Sequence, residues 1–112
     1  TINDNVLYSG FGNDLLFGNA GKNTYVFDIN FGNDQIIGST NSDIVKFNDF
    51  FDMAKYTILK STDDLVISYQ DTVANINNSL TIANWSYGEN LNSFKFNDGD
   101  YKIEKNSFVK IS

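Results

Sequence analysis

Two hydrophobic rhythms divide the chain. From residue 1 to residue 47 single large apolar residues recur as Leu7, Leu16, Tyr25, Ile36 and Val45, each preceded by a stretch rich in Gly, Asn and Asp. The spacing is nine residues, except for eleven between Tyr25 and Ile36. From residue 48 this period stops and apolar and polar residues alternate over residues 56–61, 65–70, 79–85, 93–97 and 101–104. Alternation at period two predicts half-buried strands joined by turns. Thr62, Asp63 and Asp64 should close the first hairpin, residues 71–79 should form a longer loop, and residues 87–90 should join the next pair. Asp98 and Gly99, between Phe96 and Tyr101, read as a tight hairpin turn. Residues 52–55 suggest a single helical turn.

The repeating half needs a different architecture. Gly12 and Gly21, and Asp14 and Asn23, stand nine apart, with earlier counterparts at Asn3 and Asn5 and later ones at Gly32 and Asp34, then Asn41 and Asp43. Gly, Asn and Asp are common in hairpin turns, but tight hairpins favour Asn-Gly or Asp-Gly, whereas here the glycine comes first. A unit of about six turn residues and three strand residues instead predicts a coil of parallel strands that reverses once per unit. The apolar residue of each strand then points inward, while Val6, Leu15, Thr24, Gln35 and Ile44 face out. The expected fold is all-β, with a short parallel coil over residues 1–47 and an antiparallel capping region over residues 48–112. The two extra residues, Phe27 and Asp28, are expected in a bulged strand or a widened turn.

Because the chain reverses once per unit, turns on one edge of the coil belong to units i and i+2. One edge should stack Gly10, Gly12 and Asp14 on Phe31, Gly32 and Asp34, and the other Asn5, Asn23 and Asp43. Composition narrows what such edges can hold. The chain has 14 Asp and Glu against 8 Lys, a net charge of −6, and neither His nor Cys. An acidic surface repels nucleic acid and anionic lipid and attracts cations. Without thiolate or imidazole, a bound metal must be held by oxygen. Calcium takes about six to eight such oxygens, carbonyls included, and glycine lets a backbone turn its carbonyls toward one point. The edge with both acids is the stronger candidate, and the amide-bearing edge the weaker.

Catalysis finds little support. Ser9, Ser39 and Ser42 cannot join a Ser-His-Asp triad without histidine. Asp63 and Asp64 read as turn residues, and Trp85 as a core residue with its N–H bonded. At 41% hydrophobic residues the chain can fold. Its first ten residues have neither the basic start nor the apolar run of a signal peptide, so it reads as an internal or C-terminal part of a larger protein.

The nonapeptide G-G-x-G-x-D-x-U-x, with U a large apolar residue, marks the calcium-binding repeats of RTX proteins. SGFGNDLLF (9–17) matches it closely, GNAGKNTYV (18–26) and INFGNDQII (29–37) in part, and GSTNSDIVK (38–46) loosely. The chain therefore resembles the RTX, hemolysin-type family. Residues 44–71 and 79–101 are similar to the domain that often follows such repeats. The resemblance implies a parallel β-roll holding calcium ions, one to three here. Their ligands would come from Ser9, Gly10, Phe11, Gly12 and Asp14 with Asn30, Phe31, Gly32 and Asp34, and from Gly21, Asn23, Asn41 and Asp43. It also implies a monomeric, non-catalytic module, secreted or on the cell surface. Such a module is exported unfolded by type I secretion machinery, folds on meeting extracellular calcium, and contacts upstream domains of its parent protein. Two other readings remain open. One is an adhesin or surface-layer module that binds a glycan or protein, for which exposed Trp85 and Tyr87 would speak. The other is the tail of a secreted lipase, protease or toxin whose activity lies upstream of Thr1.

Overall fold

The structure, a computed structural model, describes residues 5–18, 21–28, 30–48, 53–86 and 90–112. Among them the chain is all-β, with eleven strands in two mixed sheets and one short 3-10 turn at Met53–Lys55. The repeating half supplies β1 (Val6–Tyr8), β2 (Leu15–Phe17), β3 (Thr24–Phe27), β4 (Asn33–Ile37) and β5 (Ile44–Phe47). The second half supplies β6 (Tyr56–Lys60), β7 (Leu65–Asp71), β8 (Ile76–Ile82), β9 (Phe94–Phe96), β10 (Gly99–Glu104) and β11 (Ser107–Lys110).

The first five strands alternate between the sheets. One sheet runs β1-β3-β5-β9-β10-β11 and the other β2-β4-β8-β7-β6. Pairing within the repeats is parallel and follows the i, i+2 rule: Leu7 lies beside Tyr25, Tyr25 beside Val45, and Leu16 beside Ile36. Of the repeat's apolar positions, Leu16, Tyr25, Ile36 and Val45 are buried and Leu7 is half-buried, and the longer strands β3 and β5 bury Phe27 and Phe47 as well. The extra residues do not break this register. Phe27 extends β3 and pairs with Phe47, and its buried ring packs edge-on against Phe31 at 5.0 Å.

The second half departs from a purely antiparallel cap. β6, β7 and β8 form an antiparallel meander, but β8 also pairs in parallel with β4, and β9 in parallel with β5. The coil thus continues past residue 48, with the β6–β7 hairpin inserted into it. The physical reason is edge pairing: β4 and β5 would otherwise expose unpaired backbone groups, and β8 and β9 cover them. One hydrophobic cluster spans both halves, from Leu16 and Tyr25 to Trp85, Phe94 and Ile103.

Three further expectations change. Residues 71–79 are not a long loop: β7 and β8 meet through a four-residue turn, where Asp71 Oδ1 accepts from Val73 N and Ala74 N at 3.1 Å each. β8 therefore begins at Ile76 and ends at Ile82, before Trp85. Residues 107–110 form an additional strand, β11, entered through Lys105 and Asn106 with φ of 50° and 60°. This left-handed pair makes a two-residue turn without the usual glycine. The first hairpin closes around residues 62–64 as expected. The later turn sits one residue earlier than expected, on Asn97 and Asp98, with Gly99 paired to Phe96 inside β10. Tyr87 and its two successors lie outside the described residues.

Candidate metal centre

Edge one is the side of the coil where the turn before β2 meets the turn before β4. Glycine supplies its backbone shape, with φ of 67°, 91° and 84° at Gly10, Gly12 and Gly32. Gly32 has a second reason to be glycine, since a Cβ there would collide with the Gly12 carbonyl, which packs beneath it. The two acids follow two residues later, at the mouths of their strands. The Asp14 amide donates to Asp34 Oδ1 at 2.8 Å, and the Gln35 amide donates to the Asp14 carbonyl at 2.9 Å.

Each acid keeps one oxygen in reserve. Asp14 Oδ2 and Asp34 Oδ2 are buried and have no hydrogen-bond partner among the described residues. Asp34 is only 3% exposed. Burial, and after it the facing Asp14 charge, pushes its carboxyl up to about 6, against the opposing pull of the Asp14 amide. Ser9, also buried, stands close enough to ease that shift, although its own hydroxyl bonds the Gly10 carbonyl at 3.3 Å. Two buried carboxylate oxygens without donors are a costly arrangement unless a proton or a cation lies between them. An open groove of about 350 Å³ reaches both acids, with Asn13, Asn33, Gln35 and Ser79 along it.

Edge two uses the same backward reach with a different outcome. Asn23 Oδ1 accepts from the Asn5 amide at 3.3 Å, and Asp43 Oδ1 from the Asn23 amide at 2.8 Å. Asp43 Oδ2 accepts from the Thr40 amide at 2.9 Å, so both oxygens of this fully buried carboxylate have backbone donors. Space is also short: a Cβ on Gly18 would collide with the Tyr25 hydroxyl and the Asn23 side chain. Burial, reinforced by the Asp43 charge, pushes the Tyr25 phenol up to about 12. Edge two is thus closed by hydrogen bonds and packing.

The remaining residues named from the sequence divide in the same way. Ser9, Gly10 and Gly12 share the edge-one turn with Asp14, while Phe11 between them is 81% exposed. Phe31 adjoins Gly32, but its ring is fully buried against Phe27 and Phe47, leaving only its backbone for a ligand. Asn30 and Asn41 are exposed turn residues, and Gly21 takes φ 98° before Asn23. It is Thr40, not Asn41, whose backbone meets Asp43. Trp85 is fully buried with its Nε1–H donating to the Leu91 carbonyl, as a core residue should be.

Sequence reasoning missed Asn78. It reaches edge one from β8, where its Oδ1 accepts from the Gly32 amide at 3.1 Å. No nine-residue spacing leads to it, because the inserted hairpin separates it from Gly32 by 46 positions. Among the described residues no three acidic side chains converge on one point. A cation at edge one would therefore take two carboxylates and complete its shell with carbonyls. Lys55, Lys95, Lys102 and Lys110 each pair with an acid of the second half. No protein-family model matches the chain, and no curated protein matches it.

Proposed function

We propose that the chain is a calcium-dependent folding module, a short RTX-type β-roll whose ion sits at edge one between the turns of Asp14 and Asp34. The observation that carries this reading is the pair of buried, unpartnered oxygens, Asp14 Oδ2 and Asp34 Oδ2, on stacked glycine turns. Bound calcium would supply two positive charges and accept hard oxygen ligands, carbonyls among them. Asp14 and Asp34 are the residues to hold it, with carbonyls of the Ser9–Gly12 turn and of Asn30 and Phe31 completing the shell. Their mutual repulsion opposes folding until it is neutralised, so binding free energy is spent on folding. Edge two stands on its own hydrogen bonds and is the weaker of the two.

A switch of this kind suits a protein exported unfolded by a type I route, which meets calcium only outside the cell; the RTX-like nonapeptides support that placement. The module itself is non-catalytic, and the parent's activity lies in other domains. A glycan-binding adhesin reading gains nothing from Trp85, whose ring is fully buried.

The test is circular dichroism during a calcium titration of the wild type, Asp14→Ala and Asp34→Ala. The wild type should gain β signal with calcium, and both variants should require higher concentrations. Equal β content in chelator and in calcium would refute the folding switch. Unchanged midpoints in the variants would remove the ion from edge one.

A further inference from the structure

Strand β4 has neighbours on both sides, so the Gly32 turn is stacked between the Asp14 turn and the start of β8. On the first side the stack is made of acids. On the second side the register partner of Asp34 is Leu80, a fully buried apolar residue. The ladder of carboxylates therefore stops at Asp34. What meets the turn from β8 is an amide: Asn78, 3% exposed, accepts from the Gly32 amide at 3.1 Å. The next residue completes the clamp, with the Ser79 amide donating to the Gly32 carbonyl at 2.9 Å and the Ser79 hydroxyl to Asn33 Oδ1, also at 2.9 Å.

We infer that Asn78 is a positioning residue for the edge-one ion site: its amide fixes the Gly32 peptide from the side opposite the ion and limits this edge to a single ion. The inference rests on the calcium reading above. The chemistry favours an amide there. Asn offers a neutral acceptor oxygen of the same reach as Asp, so it satisfies Gly32 N–H without adding a third charge beside Asp34. The Gly32 peptide is in turn held against the Gly12 carbonyl, so a shift of this turn would move both halves of the site. Partners one shell out from a metal commonly change affinity by roughly 10–100-fold when removed.

The test uses the full chain loaded with calcium or with terbium, whose luminescence lifetime counts the water molecules left on the ion. Isothermal calorimetry on the wild type should find one ion, bound much more weakly in Asp14→Ala. Asn78→Ala should bind roughly 10–100-fold more weakly and show a shortened terbium lifetime, because a loosened turn admits water. Asn78→Asp keeps the acceptor oxygen and should keep the wild-type lifetime at one equivalent of terbium, which also covers the case in which Asn78→Ala fails to fold, while its added carboxylate should admit a second ion. Ile67→Val, a core change in the same hairpin, controls for lost stability and should leave the lifetime unchanged. A wild-type lifetime in Asn78→Ala overturns the positioning role, as does a shortened lifetime in Asn78→Asp or an equal shortening in Ile67→Val. A second ion on edge one in the wild type overturns the limit to one. A wild type that binds no ion overturns the calcium reading itself, an outcome distinct from all the others.

Discussion

Gly32 and Gly10 both hold left-handed backbone, at φ 84° and 67°, yet they differ in what surrounds them. A Cβ on Gly10 would meet nothing within 4 Å, whereas one on Gly32 would strike the Gly12 carbonyl. Gly10→Ala should therefore cost about 1–2 kcal/mol, the penalty for a left-handed L-residue. Gly32→Ala should cost more and should also weaken calcium binding, since the collision displaces the edge-one turn. Urea melts in saturating calcium check the order, and equal losses would mean that the close approach of the two glycines carries no weight. Both glycines were legible in the sequence through their period. That the Asp34 carboxyl is nearly sealed and the Asp43 carboxyl fully bonded was not, because each depends on amides whose approach the period leaves open: a turn 20 positions away for both, and for Asp43 also Thr40, three positions before it.

The two edges of the coil are the elements that divide the chemistry. They repeat one device, in which a side-chain oxygen of unit i+2 caps an amide of unit i, and they differ in the second oxygen. On edge two Thr40 N–H occupies it, so Asp43 acts as a lock. Asp43→Ala strands two backbone donors and should cost roughly 1.5–3 kcal/mol in saturating calcium, without changing the number of ions bound. Loss of an ion in calorimetry would put a metal on edge two instead. At this scale the sequence was read well where period or alternation was strong, as in β2 to β5 and β6 to β7. It was read poorly at β8, where the polar residues Asn77 and Asn78 look like loop and only pairing with β7 makes them strand. β11 escaped for a related reason, since Lys105 and Asn106 adopt left-handed turn geometry without a glycine to announce it.

For the whole molecule the balance of charge and burial sets the response to acid. Asp34 in the folded chain titrates near 6, above its ordinary 3.8, chiefly because it is buried. Between those values the folded state binds the proton more strongly than the unfolded state, so metal-free stability falls as pH rises through this window. In chelator, β structure should therefore be stronger at pH 5 than at pH 7.5. The calcium affinity of the folded chain should weaken as pH falls below about 6, because protons and cations compete for the same oxygens. Asp34→Asn should flatten the first dependence, and an unchanged slope would remove Asp34 from the acid response. The sequence by itself determined the all-β class, the spacing of turns, the inward residues of the repeats and the stacking of unit i on unit i+2, because each follows from a local period of apolar residues and glycines. Only the tertiary structure decided that the coil continues through β8 and β9, that Asp14 and Asp34 each keep an unpaired oxygen at edge one among the described residues while Asp43 at edge two has both oxygens bonded, and that Asn78 meets Gly32. Those outcomes turn on which backbone donors reach a given oxygen, close in sequence as Thr40 is to Asp43 or far as Gly32 is from Asn78, and a nine-residue period specifies neither.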